Sequence, residues 1–294
     1  MKRAFLDAQF YGTYRFASVV HDILRDTFPH LRDLEAFYCD EGYLAYVRPF
    51  PRESLLHCFI EFIVDSVVFE ETTDVDLDER KQMLKRLQDL PQVLDELRPM
   101  ELPVDRAFAA YGITNESFAD WLRDGGKSFE DAHEDDIYDY YQELRLSADY
   151  GALLDRWKAE VFFLTFQNRQ LLLGLNEMMA DQLQRGASDT IPNELKAYFA
   201  SPGVLIRVAI PSWVQRAVFY RDRGLCTLCQ RDLSGLLAVG NTENYDHIVP
   251  LARGGLNDVT NIQLLCRACN AKKRDGVPVT SGLYEQWYAL EPDQ

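Results

Sequence analysis

The 294-residue chain has no apolar run of bilayer length, no excess of basic charge, no low-complexity tract and no repeat of fixed period. Its most apolar stretch, Leu55 to Phe69, is interrupted by His57, Glu61 and Asp65. It falls short of the roughly 20 residues that span a bilayer, so a buried helix is expected there. The chain opens on two basic residues, Lys2 and Arg3, with no uninterrupted apolar stretch behind them. That pattern argues against an export signal and for a cytoplasmic protein. Histidine is scarce, with five in the chain, and only His247 follows His133. Any imidazole chemistry in the last 160 or so residues therefore falls on His247.

The net charge of -16 is unevenly spread. From Ser201 to Gln294 there are 10 Lys+Arg and 9 Asp+Glu, which leaves 21 basic and 38 acidic residues of the chain's 31 and 47 for the first 200. The acidic part repels phosphate backbones, and the near-neutral part can approach them. Halves this different suggest two functional units. A sizeable core is available, since hydrophobic residues make up 47% and aromatics 12%. Both shares suit a folded globular chain.

Residues 1 to about 185 read as helical. Tyr14, Val20, Ile23 and Leu24 mark one helix between Phe5 and Phe28. The longest pattern runs from about Ala152 to Gln184, with Leu154, Trp157, Val161, Leu164, Leu171, Leu175, Met178 and Leu183 mostly at steps of three, four and seven. Such steps place them on one face of a helix. Shorter helices are expected at 53–70, 77–89, 115–124 and 128–145, with breaks at the Pro-containing stretches near 48–51, 99–103 and 191–203. Gly186 to Pro192 is the best domain boundary. A short helix is expected over Asn193 to Phe199. Another is expected over Ser212 to Arg223, with Ser212 as its cap and Gly224 as its stop. The expected fold is mainly α: an all-helical domain over residues 1–188, followed by a small α+β module over 200–294.

Chemistry concentrates in CTLC (226–229) and YDHIVPLARGGLNDVTNIQLLCRACNAKK (245–273). Cys226-x-x-Cys229 and Cys266-x-x-Cys269 are two knuckles separated by 36 residues. Without an export signal, such pairs read as metal ligands and not as disulfides. Four thiolates satisfy tetrahedral zinc and leave no open position, so a structural zinc is expected rather than a catalytic one. Cys39 and Cys58 stand alone. Asp246-His247 ends a strand expected between Ala238 and Val249, Gly254-Gly255 make a turn where positive φ is easy, and a second strand begins after Asn261. Cys266 to Arg274 opens a helix, so strand, loop, strand and helix bring Asp246, His247, Asn261 and Asn270 together.

This segment, from about Pro211 to Gly276, resembles the HNH endonuclease family, whose core is the ββα-metal fold. The resemblance rests on the knuckles, the Asp-His pair, the double glycine, the Asn before the apolar strand and the Cys-Asn-x-x-Lys ending. It implies hydrolysis of phosphodiester bonds, most simply in DNA, with His247 as general base. A neutral imidazole suits that work near pH 7. Asn261 is implied to pin the loop that carries His247. Asp246 and Asn270 are implied to hold Mg²⁺ or Mn²⁺, and oxygen donors suit such hard ions. Arg253, Arg267, Lys272, Lys273 and Arg274 are expected to hold phosphates, with Arg216, Arg221 and Arg223 adding to them. RNA is the weaker substrate reading. A zinc-stapled module that binds nucleic acid or protein without cutting is the alternative.

The first 185 residues resemble no family. Their acidic surface favours a protein partner, with control of the nuclease or a scaffold role as other readings. The run EDAHEDD (130–136) reads as a solvated face before a second metal site. Small HNH proteins with an added helical domain resemble components of bacterial restriction, anti-phage or mobile-element systems.

Overall fold

A computed structural model describes residues 8–38, 42–91, 93, 98–188, 191–235, 243–274 and 276–283. Cys39 and the first part of the expected 238–249 strand lie outside them. The described residues are mainly helical, with two small antiparallel sheets. In chain order the helices are α1 (Ala8–Arg25), α2 (Leu31–Tyr38), α3 (Leu55–Thr73), α4 (Leu77–Leu87), α5 (Pro103–Tyr111), α6 (Phe118–Asp124), α7 (Glu134–Leu144), α8 (Ala148–Thr165) and α9 (Arg169–Arg185). A hairpin follows, β1 (Phe199–Ser201) with β2 (Val204–Leu205), then α10 (Ser212–Arg221). The chain closes with β3 (Glu243–His247), β4 (Ile262–Cys266) and α11 (Arg267–Lys273). No helix among the described residues is long and apolar enough to cross a membrane.

The long 152–184 pattern is two helices rather than one. The Asn168 side chain accepts hydrogen bonds from the backbone N–H groups of Gln170 and Leu171, each at 3.1 Å. It thereby caps α9 and interrupts the run, a competition periodicity cannot register. Three other local expectations change for similar reasons. The 128–145 segment breaks at Ala132–His133, where Asp136 accepts the His133 N–H at 2.9 Å and starts α7. Helix α10 begins after Pro211, which holds the cap position, so Ser212 is its first residue. The 193–199 stretch forms only a 3₁₀ turn, Lys196–Tyr198, before the unanticipated β1–β2 hairpin.

The chain divides into two compact units. The first takes the described part of residues 1–16 with Ile60–Val161. Its core includes Val64, Phe108, Phe118, Ile137, Tyr140, Tyr141, Tyr150 and Trp157, all buried. Asp105 ties two helix starts together here. Its carboxylate accepts from the backbone N–H of Leu102 (3.0 Å) and of Phe118 (3.3 Å), from Tyr140 Oη (2.8 Å) and from Asn115 Nδ2 (3.4 Å). The second unit takes the described residues of 17–59 and 162–294.

Residues on both sides of the Gly186–Pro192 stretch thus belong to the second unit. Its parts are joined by specific bonds. Phe50 donates its N–H to the Asn257 carbonyl at 2.7 Å. Asp258 accepts the Leu55 N–H at 3.0 Å and the Thr260 N–H at 2.9 Å, so one carboxylate starts α3 and orders the turn before β4. Asn176 of α9 donates to Thr260 Oγ1 at 3.1 Å. These groups are buried, so each bond also satisfies polar atoms that water cannot reach.

Candidate active site

The two cysteine knuckles frame the site. A short hairpin around Leu225 and Asp232 folds Cys226-x-x-Cys229 into a tight turn, with the Gln230 N–H donating to the Cys226 carbonyl at 2.8 Å. Cys266 closes β4 and caps α11, its Sγ accepting the Cys269 N–H at 3.4 Å. The ligand atoms of Cys226, Cys229, Cys266 and Cys269 all lie within 4.8 Å of one another. Thiolates 2.3 Å from a tetrahedral zinc stand about 3.8 Å apart. Cys229 Sγ and Cys266 Sγ are separated by 3.8 Å, so the cluster fits zinc. Burial works against the Cys266 thiolate, but hydrogen bonds from the Cys269 amide and the neighbouring thiols outweigh it and bring Cys266 down to about 7. The raised acidity of this one thiol favours loading near neutral pH, since a thiolate is the ligand.

Strands β3 and β4 pair antiparallel, with Asp246 opposite Gln263 and His247 opposite Ile262. Beyond β3 the chain turns at Gly254, with φ of 81°. Gly255 serves differently: a Cβ there would stand 2.0 Å from the Val249 carbonyl oxygen and 3.0 Å from Asn261 Nδ2. The close approach lets Asn261 bind the loop from inside. Its Oδ1 accepts the Val249 N–H at 2.8 Å, and its Nδ2 donates to the carbonyls of Val249 (3.0 Å) and Leu256 (2.9 Å). Asn261 is fully buried.

His247 is 1% exposed. Its Nε2 lies 3.2 Å from Asn257 Oδ1. The Asn257 amide has one orientation, because its Nδ2 donates to the Ile206 carbonyl at 2.9 Å. Oδ1 therefore accepts from Nε2–H, and the Nδ1 lone pair is left free. That Nδ1 is buried without a hydrogen-bond partner. Burial holds His247 down to about 4, with the nearby Arg207 and Lys273 charges acting in the same sense and the Asn257 bond opposing them. The ring is neutral at pH 7. Beside it, Asp246 is also buried and forms an ion pair with Lys273, Oδ2 to Nζ 2.8 Å. Oδ2 has this ion pair and no hydrogen bond. Lys273 also donates to the His247 carbonyl at 2.6 Å.

Asp246 and His247 open onto a cleft of about 260 Å³, walled by Leu205, Arg207, Pro250, Leu251, Ala252 and Arg274. Several basic residues read from the sequence fall elsewhere. Lys273 is buried against Asp246, so it organises the site and is not free to hold phosphate. Arg221 is likewise internal, bonded to Asp222 at 2.9 and 3.0 Å and to the Ile262 carbonyl at 2.6 Å. Arg274 lines the cleft. Arg216, Arg223, Arg253, Arg267 and Lys272 are exposed but outside the lining set. Asn270 is half-buried on α11 and also outside that set.

Two residues at this site had no sequence signal. Asn257 reads as an ordinary turn residue between a double glycine and Asn261. Arg207 lies just past the break expected near 191–203, in a stretch without a motif.

Residues 226–282 match the family model described as HNH endonuclease. This segment is therefore an HNH endonuclease module with a four-cysteine, zinc-type cluster, a class whose chemistry is nuclease-type. The preceding residues match no family, and no curated protein or solved structure matches the chain.

Proposed function

We propose that the cleft hydrolyses phosphodiester bonds, with DNA as the substrate, His247 as general base and Asn261 holding its loop. The observation that carries this reading is the buried, unpartnered Nδ1 of His247 beside Asp246 in the cleft of the HNH segment. A neutral imidazole with a free lone pair can take a proton from an attacking water. Asn257 fixes the ring by holding its other nitrogen, and Lys273 fixes the strand end by bonding the His247 carbonyl. Asp246 and Asn270 offer oxygen donors, and such donors suit a hard cation. Bound there, Mg²⁺ or Mn²⁺ would stabilise charge developing on the phosphate and its departing oxygen. The exposed basic residues Arg253, Arg267, Lys272 and Arg274 would hold flanking phosphates, giving affinity without sequence reading.

Supercoiled plasmid incubated with the protein and Mg²⁺ or Mn²⁺ tests the proposal. Nicked or linear product from the wild type, and none from His247→Ala, is expected. Intact plasmid under both metals, with cellular partners added, refutes it. The alternative is a zinc-braced module that binds without cutting. It draws on the Lys273–Asp246 ion pair, which already neutralises the carboxylate. It requires that His247→Ala leave the biological phenotype unchanged.

Partner binding or control is assigned within the same proposal to the acidic helical part, in a defence or mobile-element setting. Its support is the charge split, 38 acidic against 21 basic residues in the first 200. Affinity purification of the His247→Ala protein from its host reads partners and trapped nucleic acid together.

A further inference from the structure

We infer that Arg207, which lies outside the HNH segment, grips a substrate phosphate at the cleft. The inference rests on the nuclease reading above for its substrate, but its observations are separate.

Arg207 follows the β1–β2 hairpin, ahead of the matched residues 226–282. Its position is set on both sides of its neighbour. Ile206 donates its N–H to the Tyr198 carbonyl at 2.9 Å. The Ile206 carbonyl accepts from Asn257 Nδ2, also at 2.9 Å. Asn257 is the residue that holds His247. One amide thus ties the general base to the backbone next to Arg207, and Leu205, buried before it, forms part of the same cleft wall.

The side chain itself is exposed and lines the cleft with Asp246 and His247. Among the described residues Arg207 makes no ion pair. The acid of the cleft, Asp246, is already matched by Lys273. Arg207 and Arg274 therefore add uncompensated positive charge to a concave site in a chain of net charge -16. An anionic ligand relieves that arrangement. A guanidinium also presents a planar fork that matches two phosphate oxygens. The stretch that follows the expected break at 191–203 thus supplies a wall of the site and a phosphate contact.

The test uses the full chain in two backgrounds. In His247→Ala protein, binding of a fluorescent DNA duplex is followed by anisotropy against salt concentration. Adding Arg207→Ala should weaken binding about tenfold and lower the slope of log affinity against log salt by about one. Arg207→Lys should restore most of the slope, because charge is retained, and less of the affinity, because the fork is lost. In the wild-type background, Arg207→Ala should reduce kcat/KM on plasmid by about 10- to 100-fold with zinc content and melting unchanged. Arg32→Ala, an exposed arginine on α2, is the control and should change neither readout.

An unchanged affinity and salt slope in Arg207→Ala overturns the inference. So does a loss of cutting with an unchanged slope, which would mean that Arg207 acts through the fold. A wild type that cuts nothing while the slope still falls by about one refutes the nuclease reading and leaves the phosphate contact standing. No binding of duplex by the His247→Ala parent overturns both.

Discussion

Asp105 in the first unit and Asp246 in the second are both buried carboxylates, 5% and 8% exposed, in very different company. Burial pushes the Asp105 carboxyl up, and the four donors around it oppose that. Two of these donors are backbone amides at helix starts, and Tyr140 and Asn115 also bond the Glu116 carbonyl. Asp65 is treated the same way, accepting from Tyr150 at 2.7 Å and from Arg145 at 2.6 Å. Asp246 has a single ion pair, through the Oδ2 that makes no hydrogen bond, next to a histidine nitrogen with no hydrogen-bond partner at all. Isolated orphans occur elsewhere among the described residues, such as Thr72 Oγ1 and Glu101 Oε2. Two on consecutive residues facing one cleft are another matter. An unmet buried polar atom costs about 1–3 kcal/mol, and a fold carries that cost where the atom meets something other than protein. The first unit spends its polar groups on closing the fold, and the second leaves some open for chemistry.

The largest effect should come from removing what braces the second unit. Cys226→Ser deprives the cluster of a fully buried ligand, and structural zinc contributes on the order of 10 kcal/mol in small modules. Zinc stoichiometry by mass spectrometry should fall to zero. Cutting should vanish, and the fast proteolysis that results should map to residues near 206–283 rather than to 103–157. Equal digestion of both regions would break the contrast between the two units.

His247→Ala should separate chemistry from stability. General acid–base catalysis contributes about 10²–10⁴ in rate, so single-turnover cleavage should fall by that factor. Folding free energy from urea titration should change by no more than about 2 kcal/mol, because the orphaned Nδ1 leaves with the ring. A collapse in stability equal to the loss of rate would make His247 a core residue and nothing more.

How much of this was readable depended on whether a residue's role was local. Cys226, Cys229, Cys266 and Cys269 announce themselves because a knuckle is a sequence-local object, and the four sulfurs do converge. Asp246 and His247 are neighbours on one strand and reach one cleft for the same reason. The helical character of the chain followed from periodicity, but its interruptions did not, because Asn168 and Asp136 act as caps through side-chain bonds that no hydrophobic pattern encodes. Lys273 looked like its neighbour Lys272, yet one is buried and the other exposed, since successive helix residues lie about 100° apart. Arg207 and Asn257 meet only through the Ile206 carbonyl, 51 positions from Asn257. A contact of that separation leaves no trace in either local segment.

Asp105→Ala sharpens the same contrast from the other side. It leaves the Leu102 and Phe118 amides without acceptors, a cost of about 2–4 kcal/mol. Chemical denaturation should show it. The cleavage rate per folded molecule should stay at the wild-type value, because no contact of Asp105 belongs to the cleft. A drop in that rate at full folding would assign the first unit a direct part in cutting.

The smallest expected effect tests the acidic run 130–136, where Glu130, Asp131, Glu134 and Asp135 are exposed and Asp136 is buried. Asp136 caps α7 through the His133 N–H and pairs with Lys127 at 2.5 Å. Burial works against its charge, but Lys127 and the His133 amide outweigh it and hold its carboxyl below the ordinary carboxylate range. A depressed folded-state value means that the unfolded chain takes up the proton first as pH falls. The stabilisation is therefore complete above the unfolded value near 3.9, and it is lost as pH falls through the lower folded value. Asp136→Asn should cost about 1 kcal/mol at pH 7, mostly from the weaker cap and the lost ion pair. The gap between the two proteins' melting temperatures should close once pH has fallen through the lowered folded value, where wild-type Asp136 is also neutral. A gap that persists unchanged at that pH would show that shape rather than charge sets the contribution of Asp136. The run would then have no more electrostatic structure than the solvated face its sequence suggests.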